Sequence, residues 1–187
     1  MKKRCPWCES DPLYIEYHDK EWGVPVYDEQ KHFEFLTLET FQAGLSWITV
    51  LRKRENFRKA FDNFDFYKVA QYGEEKIAEL TADPGLIRNK LKIRAAVNNA
   101  RCFVKFQEYG SFTDYIWGFV NYETVQNNYE RMEDIPAETS LSSVISKDLK
   151  KRGFKFIGPT VVYAHMQAAG LVNDHLVSCF RHGELKG

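Results

Sequence analysis

Apolar positions recur along this chain at spacings of three and four, the period of a helix that buries one face. Asp28 suits a helix N-cap, and after it Phe33, Leu36, Thr37, Thr40 and Phe41 stay in phase up to Gly44. Ile48, Leu51, Phe57 and Phe61 outline the next helix, Phe64 to Ala70 a short third, and Gly73 to Ala82 an amphipathic fourth that stops at Asp83-Pro84-Gly85. The longest run is Ile87 to Tyr109, with Leu91, Ile93, Ala96, Val97, Ala100, Phe103 and Val104 on one face. Its other face carries Arg88, Lys90, Lys92, Arg94 and Arg101 and reads as solvated. Ser111 caps a shorter helix to Val120, and residues 121–138 read as a polar connection. Ser140 to Lys151 and Pro159 to Ala169 are helical, with a turn from Gly153 to Gly158 between them, and Asp174 is expected to cap a last short helix, His175 to Phe180. Residues 1–28 hold Trp7, Tyr14, Tyr17, Trp22 and Tyr27 and a short helix near Tyr14 to His18, so they read as a tucked-in arm. With no period-two pattern, internal repeat or low-complexity stretch, the fold class is all-α, with roughly eight to ten helices.

Composition narrows the function. At 187 residues the chain can bury a core as one domain or as two small ones, and a single unit is the expectation. That unit leaves room for a helical subdomain over 50–135, a hairpin over 140–169 and terminal segments 1–28 and 170–187. Aromatic content of 15% is high, which suits stacking on flat ligands as well as core filling. Lys plus Arg and Asp plus Glu are 26 each, which argues against a protein that coats nucleic acid nonspecifically but leaves room for a local basic patch. The basic start, Met1 to Arg4, is not followed by an apolar run, and the apolar stretch from Leu45 to Leu51 is too short for a bilayer. A cytoplasmic location without a membrane partner is the expectation. There Cys5, Cys8, Cys102 and Cys179 are better suited to be thiols or metal ligands than disulfides.

Three places carry candidate chemistry. In Leu36 to Trp47, Glu39 is an acid in a largely apolar segment, followed by the small residues around Leu45 and then by Trp47. A buried acid, a protruding Leu and a stacking surface suit a pocket for a flat polar ring; an ordinary helix with a core Trp explains the stretch as well. In Lys150 to Thr160, Phe154 and Ile157 can plug a tight helical hairpin, and Gly158 opens a helix whose free N–H groups can hold a phosphate. Lys147, Lys150, Lys151, Arg152 and Lys155 add charge there. This is the layout of a helix-hairpin-helix DNA-binding element, and also that of a charged αα-hairpin. Finally, His175 and Cys179 would share a helix face and, with Cys5 and His18, make a Cys2His2 set suited to structural zinc. Cys5-Pro6-Trp7-Cys8 competes for Cys5 as a redox pair or a zinc half-site through Cys8.

Together these words resemble a known family. Asp11-Pro12-Leu13-Tyr14-Ile15, Tyr17-His18-Asp19, Glu21-Trp22-Gly23-Val24-Pro25, Gln42 to Trp47, Leu51-x-Lys53-Arg54-Glu55-Asn56, Lys151 to Phe156 and Gly170 to His175 occur in the order of the DNA-3-methyladenine glycosylase I family of bacterial alkylation-repair enzymes. The resemblance runs nearly end to end. It implies a helix-hairpin-helix DNA glycosylase fold whose N- and C-terminal segments are joined by one structural zinc, held by Cys5, His18, His175 and Cys179. Cys8 falls where no family ligand is expected. Glu39 matches the carboxylate that contacts the base, Tyr17 its hydrogen-bonding companion and Trp47 the stacking aromatic, with Trp7 and Trp22 lining the pocket. Gly44 and Leu45 match the loop that fills the gap in the duplex, and Gly153, Lys155 and Gly158 belong to the DNA-gripping hairpin. As in that family, the segment Pro159 to His165 carries no acid.

The partner implied is double-stranded DNA containing 3-methyladenine, bound by a monomer. The enzyme flips the base out of the stack and Leu45 takes its place. Methylation at N3 makes the base a cation and a good leaving group, which Glu39 selects by charge. No Lys after the hairpin is placed to form a Schiff base, so base release without strand cleavage is expected. The competing readings are a non-catalytic binder of damaged DNA built on the same hairpin, and a redox protein working through Cys5 and Cys8.

Overall fold

In the computed structural model, which describes residues 2–186, local chemistry starts each helix. Asp11 accepts the Leu13 N–H at 2.8 Å, and Pro12 occupies the first turn of α1 (Pro12–Lys20). Asp28 accepts the Lys31 N–H at 2.7 Å and opens α2 (Glu29–Gln42). Then follow α3 (Trp47–Ala60), the single turn α4 (Phe66–Val69) and α5 (Glu74–Ala82). Asn89 caps α6 (Lys90–Phe106) through the Lys92 N–H, and Ser111 caps α7 (Phe112–Gly118) through the Asp114 N–H. Thr139 and Ser142 form a reciprocal capping box at α8 (Ser140–Lys151), and α9 (Pro159–Ala168) starts from Gly158. A short α10 (Phe180–Glu184) ends the described chain.

The organising element is α2. Every residue from His32 to Phe41 is buried, so this helix is surrounded on all sides rather than amphipathic. It packs on α3, α6, α7 and α9. Against α9 it is pinned by a buried imidazole pair, His32 Nδ1 to His165 Nε2 at 3.0 Å. The other ring nitrogen of His32 donates to the Val26 carbonyl, which also accepts from Trp117 Nε1. On the α3 side, the buried Arg54 bonds Glu34 and Glu21. The aromatic arm is tucked in as its composition requires, and it crosses the end of α9 closely. At Gly170 a Cβ would lie 2.5 Å from the backbone of Val24 and Pro25, so only glycine permits that crossing.

Three expectations change. The polar connection contains Val125–Gln126 (β1), paired in parallel with Val172–Asn173 (β2), a bridge too short to leave a periodic trace in sequence. The basic face of the long helix is exposed at Arg88, Lys90, Arg94 and Arg101, but Lys92 is buried. The last helix begins after Cys179, not at His175. Asp174 cannot cap it, because Asn127, Tyr163 and Gln167 already donate to its carboxylate at 2.7, 2.6 and 2.9 Å. His175 and Cys179 therefore meet around a bend and not along a helix face.

Candidate active site

α1, α2, α3 and α9 wall a cleft of about 170 Å³ lined by Trp7, Tyr14, Tyr17, Trp22, Glu39, Gln42, Trp47, Ala164 and Gln167. A single water needs only about 10–15 Å³, so this is space for a larger molecule. Aromatic edges shape it: Trp7 meets Tyr14 and Trp22 edge-on at 4.8 and 5.1 Å, and the Tyr17 and Trp47 rings lie 5.6 Å apart and tilted. All five residues expected to contact the base are thus brought together from three separate stretches of chain.

Three polar side chains in this wall, those of Glu39, Tyr17 and Trp47, have no protein partner, whereas Gln167 donates to Asp174. Glu39 is 6% exposed, and among the described residues no group donates to its carboxylate. Burial alone pushes its pKa up from 4.5 to about 8. The Tyr17 hydroxyl and the Trp47 indole N–H are buried without a hydrogen-bond partner. Burial, and then the nearby Glu39, holds the Tyr17 phenol well above its ordinary pKa, so it stays protonated. The cleft therefore presents one carboxyl, one hydroxyl and one N–H, each needing a partner.

A second hollow adjoins it. Gln42, Ala43, Gly44 and Leu45 face Thr160, Val161 and Ala164 of α9 across that space, with Glu39 at its floor. Leu45 is 40% exposed at this mouth. Gly44 has φ +81° and open space around it, so it is needed for its backbone shape and not for close packing. Gly158, at the start of α9, also has nothing within 4 Å of a built Cβ. Behind it, Phe154 and Ile157 are buried in the turn, and Asn99 holds Lys155 through both its N–H and its carbonyl. Lys155 is exposed, whereas Arg152 is tied to Asp148 at 2.7 Å and stacked over Phe106 and Tyr115.

Behind the aromatic wall, Cys5, His18, His175 and Cys179 converge, all buried, with their ligand atoms within 4.8 Å of one another. Cys179 Sγ lies 3.4 Å from His18 Nε2 and 3.6 Å from His175 Nδ1, and Cys5 Sγ 3.7 Å from His175 Nδ1. Bonds of 2.0–2.3 Å around a tetrahedral ion give an N···S edge of about 3.6 Å, so the set fits such an ion. The outer ring nitrogens are already committed. His18 Nδ1 donates to Asp19, itself held by Arg4, and His175 Nε2 donates to the Trp22 carbonyl. Each imidazole thus turns a lone pair inward, the arrangement that metal-binding histidines need. The bond from Cys5 pushes Cys179 down towards thiolate, and the same bond together with burial pushes Cys5 up. Cys8 points away, its thiol donating to the Cys5 carbonyl at 3.2 Å, and burial pushes its pKa up to about 11. That is the opposite of a reactive redox thiol.

Tyr14, Gln42, Ala164 and Gln167 line the cleft without having been expected there. For Gln42 the signal was present, three residues after Glu39 on one helix face. Ala164 and Gln167 reach the cleft only through the packing of α9 on α2.

The fold and this cleft define a helical base-recognition enzyme of the methyladenine glycosylase class, and the family model for methyladenine glycosylase matches residues 7–182. The chain belongs to that family. It is 52% identical over 178 residues to DNA-3-methyladenine glycosylase 1 of Escherichia coli K12, covering 95% of each chain. To the DNA-3-methyladenine glycosylase of Haemophilus influenzae it is 48% identical, covering 96% of this chain and 97% of that one. The structure superposes on 3-methyladenine DNA glycosylase I of Staphylococcus aureus, solved to define its recognition of 3-methyladenine, with a TM-score of 0.91 at 40% identity, covering 95% of each chain.

Proposed function

We propose that this chain hydrolyses the N-glycosidic bond of 3-methyladenine in alkylated duplex DNA and leaves an abasic site without cutting the strand. The observation that carries this is the trio of unpartnered polar groups, Glu39, Tyr17 and Trp47, around one aromatic cleft. A cation entering the cleft favours the Glu39 carboxylate over its acid, so the charge that burial disfavours is restored by the substrate that needs it. Trp47 offers a stacking face worth about 1–3 kcal/mol per base. Its N–H and the Tyr17 hydroxyl supply directional bonds to the ring edge or to a neighbouring oxygen. The C1′–N9 bond then breaks with its electron pair passing to the purine, which leaves neutral. Water adds to the sugar cation at C1′ and loses a proton to solvent or to a nearby base. No lysine follows the turn in Pro159 to His165, so no amine is available there for strand cleavage.

In this reading the α8–turn–α9 unit is a helix-hairpin-helix element. The open approach at Gly158 and the uncommitted charge of Lys155 hold the phosphates of one strand, and Gly44-Leu45 enters the vacated stack. Cys5, His18, His175 and Cys179 hold one structural zinc, which by donating no open position would supply a tether between the chain ends and no reactive water. The test is release of 3-methyladenine from methylated duplex DNA, with the product strand checked for breaks. Tight binding to such DNA with no base released would instead mark a non-catalytic damage binder.

A further inference from the structure

The loop that carries Leu45 has a specific geometry. Leu45 N–H donates to the Gln42 carbonyl at 2.7 Å, with Ala43 at φ −48°, ψ 119° and Gly44 at φ +81°. This is a type II β-turn, which differs from type I by a flip of its central peptide. The Ala43 carbonyl belongs to that central peptide, and what it bonds to decides which way the peptide faces.

Its partner is Lys92. The Lys92 side chain is buried, and its ammonium donates to the carbonyls of Phe41 and Ala43, both at 3.3 Å. Among the described residues no carboxylate lies within ion-pair distance of it. Burial lowers its pKa with no opposing charge to compensate. A buried cation without a counter-ion is costly, and here its bonds go to carbonyls left open at the C-terminal end of α2, where the helix dipole is negative. Asn89, by capping α6 through the Lys92 N–H, fixes the turn of helix from which this side chain reaches across.

We propose that Lys92 is a positioning residue: by holding the Ala43 carbonyl it fixes the Gln42–Leu45 turn in the form that presents Leu45 to the duplex. The proposal rests on the reading of Leu45 as the group that enters the stack. It gives the one inward lysine on an otherwise solvated face a purpose in the reaction cycle, although Lys92 touches neither base nor DNA.

The test compares Lys92→Met, Lys92→Arg, Leu45→Ala and the Lys92→Met/Leu45→Ala pair. Lys92→Met should lower kcat/KM on lesion-containing duplex by about 10–100-fold, the scale on which misplacement of a remote group acts. Affinity for free 3-methyladenine, which needs the cleft but not the loop, should stay within about twofold. Lys92→Arg, which keeps a donor, should recover most of the rate. Because Lys92 acts through Leu45, Lys92→Met should cost little further in the Leu45→Ala background. Multiplying effects, or a parallel loss of free-base affinity, would overturn the proposal in favour of general destabilisation. The Gly44 amide resonance gives a readout independent of activity. It should shift and broaden in Lys92→Met but not in Lys92→Arg, and an unchanged resonance sinks the proposal even if the wild-type protein releases no base. That latter result would refute the glycosylase reading alone.

Discussion

Trp7 and Trp22 have two sides, and the regions they separate treat polar groups in opposite ways. On one side the rings pack on His18 and His175, at 5.3 and 4.6 Å, against the Cys/His cluster. On the other they line the cleft. In the cluster each outward nitrogen is bonded and the four inward atoms converge on one point. In the cleft the Tyr17 hydroxyl, the Trp47 N–H and the Glu39 carboxyl have no protein partner. A buried polar atom left unpaired costs about 1–3 kcal/mol, and two of the five such atoms among the described residues, on Tyr17 and Trp47, fall in this one cleft; the others are on Thr113, His165 and Arg181. The ring nitrogens of the cluster are satisfied and the polar groups facing the cleft are open, which is the contrast that the proposed tether and the proposed base site predict.

The largest effect should come from breaking the cluster. Cys5→Ser is expected to abolish the proposed metal binding and to lower Tm by about 6–20 °C, taking 3–5 kcal/mol as the loss and 2–4 °C per kcal/mol for a chain of this size. Cys8→Ser should keep both metal and Tm, since its thiol faces away. Metal analysis beside a melting curve decides this; metal lost from Cys8→Ser and kept in Cys5→Ser would reverse the assignment.

Next in size is Glu39→Gln, which should lower base release by about 10²–10³-fold, the scale of a lost charge-stabilising group in a dry site. Its pH dependence has two opposite signs. For wild type, kcat/KM should climb with pH, reach half its plateau near pH 8 and level off above it, because the free enzyme must ionise Glu39, whose pKa is about 8. Stability should do the reverse. The pKa is raised on folding, from 4.5 to about 8, so the contribution of Glu39 is fully present below about pH 4.5 and is lost as pH rises to about 8. The Gln variant should lack both trends and gain stability over wild type across that window. A flat wild-type profile in either measurement would contradict the unpartnered carboxyl.

A smaller effect is expected at the hairpin. Lys155→Ala should weaken DNA binding evenly across sequences and reduce the salt slope of binding by about 1, leaving affinity for the free base unchanged. An unaltered slope would mean that Lys155 meets no phosphate.

Much of this was legible before the structure because the signals are local. Asp28 and Ser111 cap the helices they were expected to start, and Glu39 stands out as an acid among apolar residues. What was not legible depends on groups far apart in sequence. Asp174 reads as a cap until Asn127, Tyr163 and Gln167 are seen to occupy it. Lys92 reads as one more solvated cation until its targets, 49 and 51 residues earlier, come within reach. Gln167 joins the cleft only because α9 lies on α2. Periodicity reports which face of a helix is buried, and it is silent on which distant carbonyl or carboxylate a polar residue will meet.

The smallest predicted effect is the most discriminating between the two regions. Tyr17→Phe removes one oxygen that has no partner in the free protein. At a structural position, deleting a buried hydroxyl costs the bond it made, about 0.5–1.5 kcal/mol. Here there is no bond to lose, and the variant is relieved of an unsatisfied group, so Tm should hold or rise. Binding should move the other way, by up to about tenfold for 3-methyladenine, because the hydroxyl finds its partner only when the cleft is filled. His18→Phe, on the far side of the same aromatic wall, should lower stability and binding together. Melting curves and free-base titrations on the two variants separate the cases. If Tyr17→Phe melts well below wild type, the hydroxyl has an internal role and the contrast between cleft and cluster fails at this residue.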